Sequence, residues 1–93
     1  MFVGCCTFYL SINWAKSLKD KRRCIKSIMD KMKNKFNISV AEIGENDVHT
    51  AACIGFSCVS NSKAHLDSMM ENILSFVENN TEAEIYNIEM EII

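Results

Sequence analysis

The sequence contains no proline, only three glycines and a single tryptophan. No linker, repeat or low-complexity tract interrupts its 93 residues. A chain of this length fits one domain and is too short for two independent cores. We therefore expect residues 1–93 to form a single domain. Chains of this size bury roughly 65% of their unfolded surface on folding, so a stable monomer does not require disulfides.

A basic leader and a long apolar segment are also missing. The apolar start of the chain is interrupted by Thr7, Ser11 and Asn13, so it matches neither a signal peptide nor a membrane span. The five cysteines are an odd number, and most lie inside apolar runs, where a reduced thiol packs as a small hydrophobe. These features indicate a reducing compartment. We expect a cytoplasmic protein that does not bind membranes.

Charge is distributed unevenly along the chain. Residues 16–36 contain nine Lys and Arg against two Asp, a net charge of +7, whereas the remaining residues contain ten carboxylates against Lys63, a net charge of −9. No charged residue occurs in residues 1–15 or 48–62. The pattern is typical of a basic face on an acidic body.

Hydrophobic periodicity divides the chain into six elements. Residues 2–14, 38–43, 50–59 and 82–93 alternate apolar and polar side chains, which predicts strands. Apolar residues at steps of three and four predict one helix from Ser17 to Asn37 and a second that ends near Asn79 and Asn80. Ser17 and Asp20 form a capping-box pattern at the start of the first helix. Gly44 to Asp47 predicts a hairpin loop between the second and third strands.

The order of these elements is βαββαβ. Two right-handed crossovers place both helices on one face of a four-stranded antiparallel sheet with strand order 4-1-3-2. The sequence therefore predicts an α+β, ferredoxin-like sandwich. In the last strand, Tyr86, Ile88, Met90 and Ile92 are expected on one face and Asn87, Glu89 and Glu91 on the other.

Three stretches resemble a known family: SLKDKRRCIKS at 17–27, FNISVAEIG at 36–44 and CVSNSKAH at 58–65. With the opening MFVG and the last strand, they are similar to the bacterial YlxP-like family, a domain of unknown function. The resemblance implies a ferredoxin-like fold and a gene that is often found beside those for a translation initiation factor and a ribosome-binding factor. It implies no established reaction.

The resemblance also marks individual positions. The family's basic helix start falls on residues 17–22 here, and its strand-two carboxylate falls on Glu42. Neither feature has a demonstrated role. Many members have a tryptophan just before the third strand, where this chain has His49, so a role that depends on that ring does not carry over to this chain.

The first functional hypothesis is a non-enzymatic module that binds RNA or a ribosomal particle. Clustered cations neutralise phosphates by releasing counterions, and an incoming phosphate is also favoured at a helix N-terminus. A solvated helix face balanced by the acidic body is the alternative reading. The candidate contacts are Lys16, Lys19, Lys21, Arg22, Arg23 and Lys26.

The second hypothesis is a homodimer that associates through the sheet surface away from the helices. The two central strands place an uncharged set of side chains there, and exposed apolar patches of this kind usually mark interfaces. The candidate residues are Val3, Cys5, Thr7, Tyr9, Cys53, Gly55 and Val59. Base stacking on this surface has little support, because only Tyr9 supplies an aromatic ring.

The third hypothesis is a small enzyme that uses His65 or Glu42 on a phosphorylated ligand near Ser17. No motif positions a nucleophile beside either residue, so we expect no catalytic site. The adjacent Cys5 and Cys6 face opposite sides of a strand, and no CxxC or HxxxH spacing occurs. We therefore expect neither a metal nor a cofactor. We expect His65 and His49 to have surface or capping roles.

Overall fold

The computed structural model describes all residues from 1 to 93. The six elements are β1 (Phe2–Ser11), α1 (Leu18–Lys35), β2 (Ser39–Gly44), β3 (Ala51–Ser60), α2 (Lys63–Asn80) and β4 (Glu84–Ile92). The strands form one antiparallel sheet in the order β2-β3-β1-β4, which is the predicted 4-1-3-2 order counted from the other edge. The predicted ferredoxin-like α+β fold is confirmed. Neither helix is long and apolar enough to cross a membrane.

The core lies between the helices and one face of the sheet. Alternate residues of β1, including Phe8 and Leu10, point into it and are fully buried. They pair in register with Ile54 and Ala52 of β3, which are buried as well. The opposite surface of the sheet, which we call the open face, carries the intervening residues and has no helix over it.

β1 is shorter than the alternation predicts. The strand ends at Ser11, and the amide of Ala15 donates to the carbonyl of Ile12 at 3.0 Å, so Asn13 and Trp14 form a turn. Polar and apolar residues also alternate in the sequence of this turn. The predicted strand therefore extended to residue 14, beyond the observed end at Ser11. The turn leaves Trp14 at the surface.

α1 begins where the capping pattern predicts. Ser17 is the N-cap, and its Oγ accepts from the Asp20 amide at 3.2 Å. The Asp20 carboxylate accepts from the amide of Lys16 at 3.0 Å, one residue before the cap, where a standard capping box would use the amide of Ser17 itself. The first interaction satisfies one of the amides that a helix start leaves free, and the second fixes the chain just before the cap. α1 ends at Lys35, with Phe36 as the C-cap.

A bulge in β4 places Tyr86 on the opposite face of the sheet from the one predicted. The register between β1 and β4 shifts between Tyr9 and Leu10, so that Tyr9 pairs with Asn87 while Leu10 pairs with Ile85. The extra residue, Tyr86, does not share a face with Ile88 and Met90 as predicted. Its ring lies 6.1 Å from that of Tyr9, on the open face. A bulge inserts one residue and so reverses the alternation on one side of it.

Candidate nucleic-acid interface

The exposed side of α1 carries most of its positive charge. Lys19, Arg22, Arg23 and Lys26 are spaced at steps of three, one and three residues, which places them on one side of a helix. All four are exposed, and Lys16 is exposed just before the N-cap. The apolar residues Ile25, Ile28 and Met32 are buried on the other side of the helix. We call Lys16, Lys19, Arg22, Arg23 and Lys26 the basic face.

Most of the basic face has no counter-charge. The chain forms two ion pairs, and one of them joins Lys26 to Asp30, one turn further along α1. The hydrogen bond from Lys26 lowers the pKa of Asp30, so this carboxylate stays ionised and offsets one cation. Lys16, Lys19, Arg22 and Arg23 have no carboxylate within 4.0 Å. Four unpaired cations therefore face solvent.

Lys21 does not belong to this surface, contrary to the sequence-based prediction. Its side chain is only 1% exposed, and its Nζ lies 3.0 Å from Oε2 of Glu42. The ammonium also donates to the carbonyls of Glu45 and Val48, the second at 2.7 Å. Because the ammonium is buried, bonded to two carbonyls and paired with one carboxylate, Lys21 cannot contact a phosphate.

The sequence contained a signal for this burial. Lys21 precedes Ile25 by four residues and Ile28 by seven, so it lies on the buried side of α1. Glu42 shares the parity of Val40, which points towards the helices from β2. A lysine and a glutamate at two core-facing positions of neighbouring elements predict a buried pair, because an isolated buried charge is unstable.

The β2–β3 loop is held in place by this lysine. Glu45 has a left-handed backbone with a φ of 60°, and the Val48 amide donates to the Glu45 carbonyl at 3.1 Å, which closes a turn. Left-handed backbone is unfavourable for a residue with a side chain. The Lys21 ammonium binds both carbonyls of that turn and so offsets part of this cost.

A cleft opens beside the basic face, between α1 and the α2–β4 connection. Its volume is about 360 Å³, and most of its lining residues are polar or charged. The lining residues are Trp14, Asp20, Arg23, Cys24, Ser27, Lys31, Asn80, Thr81 and Glu82. Arg23 belongs to both the cleft and the basic face, so the two surfaces are continuous. Apart from Arg23, no residue of the cleft was a candidate from the sequence, because residues 80–82 are far from α1 in the chain and only the fold brings them together.

Two contacts fix the walls of the cleft. Lys31 Nζ donates to the carbonyl of Asn80 at 3.3 Å and joins α1 to the end of α2. Cys24 Sγ lies 4.0 Å from Oγ1 of Thr81. Burial raises the pKa of the Cys24 thiol, the hydrogen bond with Thr81 opposes part of the rise, and the charge of Glu82 adds a smaller rise. The thiol therefore stays protonated near neutral pH and is a poor nucleophile.

The open face brings together the residues predicted as a dimer surface. Val3 pairs with Val59, Thr7 with Gly55, and Tyr9 with Cys53, while Cys5 lies between the first two pairs. Val59 is 58% exposed, but Cys53 is buried and therefore contributes little to the accessible surface. The prediction for Cys53 is thus wrong in respect of its accessibility.

Ile43 adds an apolar side chain to the open face. It lies in the bulge of β2 and covers Gly55 so closely that a Cβ on that glycine would come within 2.9 Å of Ile43 Cδ1. Ser39 and Ala41 of β2 complete this uncharged side, whereas β4 contributes Glu89 and Glu91 at the opposite edge. The charge of Glu89 raises the pKa of the Tyr9 phenol, which keeps Tyr9 neutral.

The residues of the enzymatic hypothesis are not brought together. His65 lies in the first turn of α2, where its amide donates to Oγ of the N-cap Ser62 at 3.3 Å. Glu42 is occupied by Lys21, and neither residue lines the cleft. No group of three His, Cys, Asp or Glu side chains is placed to hold a metal ion. The five cysteines are all free thiols.

Comparison with known proteins identifies the family. The model of a family described as "Protein of unknown function (DUF503)" matches residues 3–90. The chain belongs to the DUF503 family. A curated relative, the uncharacterized protein YlxP of Bacillus subtilis (strain 168), is 36% identical over 70 residues, which are 75% of this chain and 76% of the relative. The predicted YlxP-like relationship is confirmed.

A structural comparison agrees with the fold of this DUF503 member. A de novo designed protein with a ferredoxin fold, solved by solution NMR, matches with a TM-score of 0.57 and 10% sequence identity. The match covers 99% of this chain and 84% of the designed protein. At this level of identity the likeness concerns the fold alone.

Proposed function

We propose that this protein is a binding module for RNA or a ribosomal particle and that the basic face is its contact surface. The observation that carries the proposal is the set of four unpaired, exposed cations at the start of α1. Phosphate oxygens provide the missing counter-charge, and the release of condensed counterions drives such binding without a sequence code. The position of Lys16 and Lys19 supports a role in binding over a role in stability, because a cation at the first turn of a helix is unfavourable by roughly 0.3–1 kcal/mol.

The shape of the surface favours RNA over a small free anion. The cations of α1 extend over about two turns, from Lys19 to Lys26, which corresponds to roughly 10 Å along the helix axis, and Lys16 lies just before the helix. A single phosphate cannot contact all of them at once, whereas a polynucleotide backbone presents a phosphate at every step. With four phosphates neutralised, the logarithm of the affinity for single-stranded RNA is expected to fall with the logarithm of salt concentration with a slope of roughly −3.

The test is a salt series with purified protein, bulk RNA and small ribosomal subunits. In the variant Arg22→Gln/Arg23→Gln the slope is expected to become less steep by roughly 1.4, since each phosphate contact contributes roughly 0.7. Lys33→Gln/Lys35→Gln is the matched control, because it removes the same charge from the other end of the same helix. Salt-independent binding, or an equal effect of both double variants, would overturn the proposal.

A second candidate function is protein association through the open face. The observation that favours it is chemical: β1, β2 and β3 place no charged side chain there, although their outward residues include the exposed Ile43 and Val59. Single exposed apolar residues are ordinary, but a contiguous uncharged sheet surface usually marks an interface. A second copy of the chain is the simplest partner, since a two-fold axis pairs the same patch with itself.

Sedimentation of the wild-type chain separates this candidate from a monomer. A homodimer has twice the protomer mass of 10.6 kDa and is expected to form at tens of micromolar, with its proportion falling on dilution. A single species of protomer mass at several hundred micromolar contradicts the homodimer. The RNA-binding proposal does not depend on this outcome, because α1 lies on the other side of the sheet.

A further inference from the structure

We infer that the cleft beside α1 is a site for one unpaired nucleotide, with the base against Trp14 and the phosphate on Arg23. This inference deepens the proposed RNA binding by naming a subsite for it. The cleft is distinct from the rest of the basic face because it is concave and contains an aromatic wall. Its volume of about 360 Å³ is near the lower limit of small-ligand sites, which suits one nucleotide better than two.

Trp14 supplies the stacking surface. The turn after β1 leaves it 46% exposed, and it is the only tryptophan in the chain. A half-exposed indole at the wall of a polar cleft has no packing partner on its open side. Aromatic side chains beside cationic grooves are the usual means by which proteins hold the bases of single strands, because every base has a planar face.

The two cations of the cleft suit a strand better than a free nucleotide. Arg23 and Lys31 are eight residues apart on α1, which separates their backbone positions by roughly 12 Å along the axis. Arg23 is free to pair with the phosphate of the bound nucleotide. Lys31, held by the carbonyl of Asn80, stands at the other end and can meet a neighbouring phosphate. A ligand with several phosphates therefore uses both cations.

The carboxylates of the cleft also have a role in this arrangement. Asp20 accepts from the Lys16 amide, and Glu82 lies across the cleft near Cys24. Both repel phosphate but accept hydrogen bonds, as the ribose hydroxyls and the amino groups of bases require. The two carboxylates therefore keep the phosphate beside the cations. The sugar and the edge of the base lie on the side of the carboxylates. Because the Cys24 thiol stays protonated, the cleft is assigned to binding and not to covalent chemistry.

Intrinsic fluorescence tests the inference directly, because Trp14 is the only source of tryptophan emission. Adenosine monophosphate and a single-stranded oligoadenylate are both expected to quench it, and the oligonucleotide at least tenfold more tightly. Duplex RNA, whose bases are stacked on each other, is expected to bind the basic face without quenching. Equal quenching by duplex and single strand would overturn the inference.

Variants locate the site. With labelled oligoadenylate, Trp14→Leu is expected to lower the affinity roughly 5- to 150-fold while leaving the salt slope unchanged, and Trp14→Phe to restore most of it. Arg23→Gln is expected to weaken the binding of adenosine monophosphate. Arg22→Gln is the matched control, because Arg22 is the adjacent cation of the basic face but does not line the cleft. An equal loss in both arginine variants would overturn the inference.

The failure of the inference differs from the failure of the proposed function. Salt-dependent RNA binding without quenching, and with full affinity in Trp14→Leu, overturns the nucleotide site in the cleft. It leaves RNA binding by the basic face intact. Quenching by adenosine monophosphate without any RNA binding overturns the proposed function and leaves the cleft as a site for free nucleotides. If neither ligand binds at low salt, both are overturned.

Discussion

Lys21 illustrates how the surroundings of a single residue decide its role. Its neighbours Lys19 and Arg22 are solvated, whereas its own ammonium is enclosed by one carboxylate and two carbonyls. The position of a residue around the helix axis, and not its charge, separates a binding residue from a structural one. Removing this lysine would leave the Glu42 carboxylate, which is 18% exposed, without its counter-ion.

We therefore expect Lys21→Met to lower the free energy of unfolding by about 3 kcal/mol, as the loss of one partner of a buried ion pair does. Urea denaturation measures the change. The control is Lys26→Met, which breaks an exposed pair and is expected to cost only about 0.5 kcal/mol. The double variant Lys21→Met/Glu42→Met, which removes both charges, is expected to recover much of the loss. Equal effects of the two single variants would contradict the buried pair.

Cys6 is a second residue whose chemistry follows from its surroundings. Burial, with a smaller effect of Cys58, raises the pKa of the Cys6 thiol from 9.0 to about 11. The folded state thus disfavours the thiolate, whereas the unfolded chain ionises near the ordinary value. The stability that depends on the neutral thiol is complete below about pH 9 and is lost as the pH rises to about 11, a total of roughly 3 kcal/mol.

The measurement is the free energy of unfolding in urea at intervals from pH 8 to pH 11. The Cys6→Ala variant is expected to be less stable at pH 8 because it leaves a cavity, but its stability should fall less steeply above pH 9. Lysines that titrate in this range act on both proteins, and the difference between the two slopes removes their effect. Parallel pH curves would show that the Cys6 thiol is not responsible.

At the scale of elements, α1 combines unfavourable and favourable charges at its two ends. Lys19 lies in the first turn, where a cation opposes the helix dipole, and Lys33 lies in the last turn, where a cation is favourable. Lys19→Glu is expected to raise the free energy of unfolding by about 0.5 kcal/mol, and Lys33→Glu to lower it by a similar amount, although both replace a positive charge by a negative one.

Thermal unfolding of the two variants, with RNA binding measured in parallel, tests whether Lys19 lowers stability while it raises the affinity for RNA. Lys19→Glu is expected to gain about 2–4 °C in Tm while losing affinity for RNA. Lys33→Glu should lose stability and keep most of its affinity. If Lys19→Glu lowers both quantities, the lysine stabilises the helix start and the argument for a binding role fails.

The sequence predicts elements with one dominant contact face better than it predicts junctions. β1, β3 and both helices followed from periodicity, because each has one face towards a single core. The Ser17 cap was equally clear, since it depends on residues within one turn. The bulge at Tyr86 could not be predicted, because it is fixed by pairing with β1 and not by local preference.

The candidate site was predictable to the extent that it lies on one element. The basic face follows from the sequence of α1 and the residues just before it, whereas the exclusion of Lys21 from that face depends on β2 and on the β2–β3 loop. The cleft needs Trp14, α1 and Thr81 together, and their proximity results from the tertiary fold. A site that joins α1 to residues 80–82 leaves no spacing pattern in a single sequence.

At the scale of the whole molecule, the sheet separates two surfaces of different chemistry. Val59→Lys places a charge on the open face at an exposed position, so we expect the free energy of unfolding to change by less than about 0.5 kcal/mol. If the open face forms a homodimer, the same variant shifts the sedimentation equilibrium to the monomer. RNA affinity per protomer should not fall. A dimer that persists unchanged in Val59→Lys would place the interface elsewhere.

Because the ammonium of Lys21 is enclosed, its chemical modification can be used to measure how often the molecule opens. Seven of the eight lysines are exposed and accessible to an amine-modifying reagent in the folded state, whereas Lys21 is not. Its Nζ becomes reactive only when α1 separates from β2 and the β2–β3 loop. When reclosing is faster than modification, the slow labelling of this one side chain measures the equilibrium population of the opened molecule. Any ligand of the basic face that holds α1 on the sheet thus slows a reaction at a residue it never touches.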